Sequence, residues 1–189
     1  MKQLAAVSLF VIATVAAAEI HPDKLVLSAR AQIGVTTSYD SSYHKLSYPG
    51  GDVPMNTGVC ADVIVRALRR LGVDLQKEVH EDMLQNFAVY PRKWKLTKPD
   101  QNIDHRRVPN LMTYFQRKGY AQPIDQQPEH YLPGDIVAWD LGGGVTHVGI
   151  VSDKHINAGV PLMIHNIGGG VQEENVLFQF QIIGHYRLK

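Results

Sequence analysis

The sequence predicts an α+β domain in which N-terminal helices pack on a small antiparallel sheet. Two observations carry that prediction. Apolar residues recur at helical spacing in separate segments between residues 25 and 115, whereas from residue 131 the period shortens to that of strands and Gly and Pro punctuate it. Helices first and strands afterwards is the order expected of an α+β domain rather than of a parallel α/β sheet. A third observation bounds the size. With 189 residues, 44% of them hydrophobic, the chain can bury one ordinary core without disulfides or a metal.

The elements follow in order. Lys2, the apolar run Leu4 to Val15 and the small residues Ala16-Ala17-Ala18 have the layout of a cleavable secretory signal peptide, residues 1–18, with the cut after Ala18. The run is short for a membrane span, which takes about 20 residues. The mature domain, 19–189, is therefore expected in the periplasm or outside the cell, without stable membrane insertion. Residues 22–33 read as a helix that starts at Pro22-Asp23 and stops at Gly34. A long Ser-, Tyr- and Gly-rich loop covers 35–58. From Cys60 to Leu71 apolar residues share one helical face, Arg66, Arg69 and Arg70 fall on the polar side or near the C-terminal end, and Gly72 ends the helix. Further helices are expected over His80–Ala88 and Val108–Lys118. Strands are expected at Asp135–Asp140, Val145–Ser152, Pro161–Ile167 and Gln179–Leu188.

Charge excludes some function classes. Nineteen basic against eighteen acidic residues give a net charge of +1, without the basic excess of a nucleic-acid binder. The single cysteine, Cys60, cannot pair within the chain, and in a secreted protein a leftover cysteine pairs between molecules or is kept for chemistry. Its place in the first turn of a helix suits a nucleophile. Helix N-termini stabilise a thiolate, and their free N–H groups can hold an oxyanion. The bland alternative is a small buried hydrophobe.

A thiol nucleophile needs a base, usually histidine, and the base needs an orienting group. Of nine histidines, His147 stands out, inside the apolar strand segment Val145–Ser152 and two residues before Gly149, which leaves room beside it on the same sheet face. On the next strand either His165 or Asn166 could orient it, and strand parity leaves both open because both faces carry apolar residues. His80-Glu81-Asp82 and Asp104-His105 hold metal-type ligands without a standard metal-site spacing, so no metal site is expected. Asp104-His105-Arg106-Arg107 could bind an anionic group through an Arg fork or form an internal salt bridge. Trp94 and Tyr90 are expected in the core rather than along a groove.

The succession of helix, Tyr-containing loop, Cys opening an amphipathic helix, Pro133-Gly134-Asp135-Ile136-Val137-Ala138-Trp139 and His147-Val148-Gly149-Ile150-Val151 resembles the NlpC-type branch of papain-like cysteine peptidases. Residues 23–188 resemble more closely a family of secreted bacterial proteins known as domain of unknown function 1287. Tyr39-Asp40, Gly58-Val59-Cys60, His80-Glu81-Asp82-Met83, Asn102 to Arg107 and Gly184-His185-Tyr186 carry that likeness. The resemblance implies a papain-like NlpC-type fold, with Cys60 as nucleophile, His147 as base and His165, with Asn166 in reserve, as third catalytic residue. It also implies amide hydrolysis in peptidoglycan stem peptides without metal or organic cofactor. Tyr39, Asp40, Asp62, Arg106 and Asn166 are the expected substrate-binding set. The branch often carries Asp-Cys-Ser-Gly at the nucleophile. Val59-Cys60-Ala61-Asp62 departs from that, which bears on substrate and reaction rather than fold. The expected partner is a peptidoglycan or peptide substrate bound by a monomer. The competing readings are a non-catalytic cell-wall or protein-binding module, and a thiol deamidase or acyltransferase acting on a protein.

Overall fold

A computed structural model describes residues 20–189. The signal-peptide expectation for residues 1–18 lies outside them. The first helix, α1 (Pro22–Arg30), opens with proline in its first turn, Asp23 beside the positive end and Arg30 at the negative end. It buries Leu25, Val26 and Ala29. It is shorter than 22–33 because the chain leaves α-helical bonding after Arg30 and turns at Gly34, φ 76°.

The long loop is pinned at both ends. β1 (Ser38–Tyr39) and β2 (Thr57–Gly58) form a short parallel pair that sets Tyr39 opposite Gly58. β2 leads straight into α2 (Cys60–Arg69), which is buried along nearly its whole length. Arg66, expected on the polar side of α2, is buried. Its guanidinium donates to Asp52 Oδ1 and Oδ2, Thr36 Oγ1 and the Val53 carbonyl, which fastens the loop to the helix. Next comes α3 (Leu75–Asn86), where Asp74 accepts from the Gln76 N–H as an N-cap. It starts five residues before the expected His80, at a cap the apolar spacing did not reveal. A 3-10 turn at Asp104–Arg106 then delivers the chain to α4 (Val108–Arg117).

The sheet has five antiparallel strands: β3 (Ile136–Asp140), β4 (Thr146–His155), β5 (Pro161–Asn166), β6 (Val171–Glu174) and β7 (Gln181–Tyr186), in the spatial order β6-β5-β4-β3-β7. Strands β3 to β6 form a meander, and β7 returns to close the far edge against β3. β6 was not expected. Three of its four residues are polar, which suits an edge strand and hides it from a hydrophobic pattern. One sheet face, with Ile136, Ala138, Val148, Ile150 and Ile164, packs on the helices. The other, with Val137, Trp139, Val151 and Met163, is covered by Tyr131, Val176 and Leu177. Both faces are therefore buried, which explains the apolar residues at both parities.

Gly170, φ 89°, passes so close to the chain that enters β1 that a Cβ would fall 2.6 Å from the Thr36 carbonyl oxygen and 2.7 Å from Thr37 Cα. Gly142, φ 104°, has open space around it. Gly170→Ala should therefore cost more than the roughly 1 kcal/mol of an unfavourable backbone conformation that Gly142→Ala should cost. Urea unfolding of the two variants compares them, and equal losses would contradict the close approach.

Candidate functional site

Cys60 is the first residue of α2 and is buried, 3% exposed, at the floor of a cleft of about 360 Å³. Tyr39, Tyr43, Trp94, Ile103, Arg107 and Thr146 are among the residues that wall it. Burial pushes the Cys60 thiol up to about 11. The N–H groups of Val148 and Ala61 and the hydroxyl of Tyr39, all turned on the sulfur, pull towards the thiolate but do not overcome burial.

The neighbouring strand carries the histidines. β3–β4 register sets His147 opposite Trp139, on whose indole it stacks with ring centroids 5.6 Å apart. β4–β5 register, with Ile150 opposite Ile164, brings Gly149 opposite His165. His147 and His165 therefore lie diagonally on one face, and His147 Nε2 is 2.8 Å from His165 Nδ1. Gly149 makes the room the sequence suggested. A Cβ there would come 3.1 Å from His165 Cβ and 3.3 Å from Trp139 Cη2.

His165 Nε2 lies 3.2 Å from Glu174 Oε1, close enough for charge attraction although not aligned as a hydrogen bond. Glu174, on β6, escaped the sequence reading along with its strand. The network assigns the protons. The carboxylate favours a proton on His165 Nε2. His165 Nδ1 then accepts from His147 Nε2–H, and His147 Nδ1 is left unprotonated. Burial, with His165 adding to it, pulls the His147 imidazole down to about 3, and burial also lowers His165. At neutral pH the thiol and both imidazoles are uncharged. Among the described residues no hydrogen bond joins Cys60 to His147. What links them is β4 itself, because Val148, the next residue, turns its N–H on the sulfur.

The expected binding residues divide. Tyr39 lines the cleft beside Cys60. Asp40 does not. Its carboxylate is folded onto Ser42 and His44 at the surface, because the backbone N–H and hydroxyl of Ser42 capture it locally. Asp62 and Arg106 are spent on each other. Arg106 Nε donates to Asp62 Oδ1 (3.0 Å) and Nη2 to Oδ2 (2.9 Å), while the Ser42 and Asp40 carbonyls take two more of its donors. Asp62 also accepts from the Val59 N–H at 2.7 Å and so caps α2. Of the two readings left open for the Asp104–Arg107 run, Arg106 is the internal salt bridge. Asn166 faces away from His147. Its amide donates to the Gly58 and Ser38 carbonyls and ties β5 to the β1–β2 pair, so His165 is the residue that meets His147.

Trp94, expected in the core, is 47% exposed and walls the cleft, whereas Tyr90 is buried on Asp82. The ligand-rich run His80-Glu81-Asp82 is a polar helix face where Glu81 pairs with Lys77 and Asp82 with Arg117. Among the described residues no group of three or more His, Cys, Asp or Glu side chains could hold a metal ion. Nor is any described helix long and apolar enough to cross a membrane.

Removing Arg106 leaves a buried, uncompensated carboxylate at the end of α2. Arg106→Ala should lower stability by about 3–5 kcal/mol in chemical denaturation, and a loss under 1 kcal/mol would show that the pair does not hold the site. Acid supplies a second check. His147 and His105, the latter held at about 4 by burial, stay neutral in the folded chain below the free value of 6.5. The unfolded chain takes up those protons, so stability falls as pH drops below 6.5, at up to ~1.4 kcal/mol per unit for each histidine. Asp104, which burial pushes up to about 6, partly offsets this between 6 and 3.8. His147→Asn should flatten the acid limb by about one proton, as read from denaturation midpoints across pH, and an unchanged slope would refute the neutral His147.

Comparison with known proteins gives relatives and structural neighbours. Residues 26–188 match the family described as Domain of unknown function (DUF1287). The chain is 59% identical over 159 residues to the uncharacterized protein YijF of Escherichia coli (strain K12), covering 84% of this chain and 78% of that one. Among solved structures, NlpC1 from Trichomonas vaginalis aligns over 88% of this chain at 15% identity and a TM-score of 0.46. NlpC2 from the same organism aligns over 93% at 15% identity and a TM-score of 0.41. The chain spans less than half the length of either solved chain.

Proposed function

The chain belongs to the family described as Domain of unknown function (DUF1287), and we propose that it is a thiol hydrolase that cleaves an amide bond. The observation that carries this reading is the seating of Cys60. It opens a helix, at the floor of a cleft, against Val148 of β4, whose preceding residue, His147, is one half of a hydrogen-bonded histidine pair.

The resting site is neutral, so the reaction begins with a proton transfer rather than a preformed ion pair. Contacts of this kind often tighten only when substrate arrives. The Cys60 thiol gives its proton to His147 Nδ1, and the sulfur attacks the amide carbonyl carbon. Negative charge moves to the carbonyl oxygen at the N-terminus of α2, where helix N–H groups favour it. His147 then donates the proton to the leaving nitrogen as the C–N bond breaks. Water, deprotonated by His147 Nδ1, hydrolyses the thioester and restores the thiol. His165 holds the His147 tautomer, and Glu174 holds that of His165. Peptidoglycan stem peptides are the proposed substrate, with the protein acting in the periplasm or outside the cell.

The test is digestion of purified peptidoglycan sacculi, with mass analysis of the released fragments. The native chain should release peptides. Cys60→Ala should abolish release, and His147→Ala should slow it by at least about a hundredfold, the scale of one general acid–base group. His165→Ala should slow it less than His147→Ala does. Release that survives Cys60→Ala would exclude this mechanism. Complete inertness on sacculi and on model peptides would leave the buried thiol as a packing residue in a binding module.

A further inference from the structure

Two adjacent arginines face the Cys60 cleft, and their environments differ sharply. Arg106 spends its donors on Asp62 and two loop carbonyls. The Arg107 guanidinium makes no hydrogen bond among the described residues. Its nearest acid, Asp104, is 3.8 Å away from Nη1, and that nitrogen is shut off from water without a partner. The Arg107 side chain is only 17% exposed, and burial makes its charge harder to hold. Nη1 faces Asp104 Oδ1, which is likewise buried without a hydrogen-bond partner, while Nε and Nη2 make no hydrogen bond and are the donors open to an acceptor.

Arg107 also lies over an aromatic ring. Its guanidinium carbon lies 4.1 Å from the centre of the Trp94 ring, a stacked arrangement that leaves the guanidinium edge free for a planar anion. Trp94 itself has φ 60°, a left-handed conformation that a bulky residue adopts at a cost and that tends to persist where it serves a site. Asp62 neutralises Arg106, which leaves Arg107, with Asp104 3.8 Å behind it, as the cation available to the cleft. Arg106 and Arg107 are the charged residues among its lining, and neither Asp nor Glu is found there. Val108 and Pro109 place the N-terminal turn of α4 on the same wall, with its positive dipole end.

We propose that Arg107, stacked on Trp94, reads a carboxylate in the Cys60 cleft, so that the preferred amide substrates carry a free carboxylate close to the scissile bond. This rests on the proposed thiol hydrolase for its meaning but not for its test. Binding is measured calorimetrically on Cys60→Ala protein, which cannot turn substrate over. The probes are N-acetyl-dialanine of L and of D configuration, each as the free acid and as the C-terminal amide, with inorganic phosphate as the other anion a guanidinium fork fits.

One of the acids should bind about tenfold more tightly than its amide and more tightly than phosphate. Arg107→Gln should erase the acid preference, and Arg107→Lys should restore part of it. Both variants should lose less stability than Arg106→Ala, because Arg107 gives up a 3.8 Å ion pair with Asp104 and its contact with Trp94 but no hydrogen bonds. Equal binding of acid and amide, an acid preference that survives Arg107→Gln, tighter binding of phosphate, or no binding of any acid at millimolar concentration overturns the proposal. An acid preference that depends on Arg107, in a chain that hydrolyses nothing, would uphold the carboxylate site and refute the hydrolase.

Discussion

The buried Asp62–Arg106 ion pair is the interaction on which the rest of the site depends. Asp62 caps the helix that begins with Cys60, and Arg106 reaches from the turn before α4 to close the far side of the cleft. The same guanidinium holds the Ser42 and Asp40 carbonyls, so three separate stretches of chain are referenced to one carboxylate. The space is tight. A Cβ on Gly58 would come 3.1 Å from Asp62 Oδ2 and 3.2 Å from Arg66 Nη1. Burying two charges costs several kcal/mol in desolvation, and a pair of this kind returns that only with good geometry and satisfied donors. Here both carboxylate oxygens and all three guanidinium nitrogens are engaged. The pair is thus a positional device as well as a source of stability.

Burial governs the chemistry as well. The same packing that positions Cys60 and His147 takes both out of water and leaves them uncharged at neutral pH. A stable thiolate–imidazolium pair would require the protein to hold a thiolate in the helix-side core and an imidazolium stacked on Trp139. The structure instead stores tautomer information. Glu174 orients His165, His165 orients His147, and the outcome is an unprotonated Nδ1 on the residue next to Val148, whose N–H faces the sulfur. Charge then appears only when a substrate carbonyl is present to share it.

Much of this was legible in the sequence, and the residues show why. The helix beginning at Cys60 and the four apolar strands announce themselves through periodicity, because their burial is what periodicity records, and His147 stands out as a polar ring within one of those strands. His147 and Gly149 could be read together because strand alternation puts them on one face, and the structure uses the missing side chain to admit His165. Asn166 could not be separated from His165 by pattern, since both sheet faces are covered; the choice was made by the Gly58 and Ser38 carbonyls, which are over a hundred residues away along the chain. Glu174 was hidden in a polar edge strand. Asp40, Asp62 and Arg106 looked like ligands because they are charged and near the motif, but a charge at such a position is as often there to fold the site as to serve it. The Asp104–Arg107 run was legible only as a choice between an anion fork and an internal salt bridge, because adjacent arginines look alike until Asp62 takes one of them, and Trp94, expected in the core, stands 47% exposed at the cleft wall.

The central claim is the neutral, tautomer-defined His147 beside a protonated thiol. The most direct measurement is the ¹⁵N chemical shift of both ring nitrogens of His147 at neutral pH, assigned by comparison with His147→Gln. The account predicts one protonated nitrogen, Nε2, and one bare nitrogen, Nδ1. Two protonated nitrogens at neutral pH, the signature of an imidazolium paired with a thiolate, or a proton on Nδ1 instead of Nε2, would contradict it.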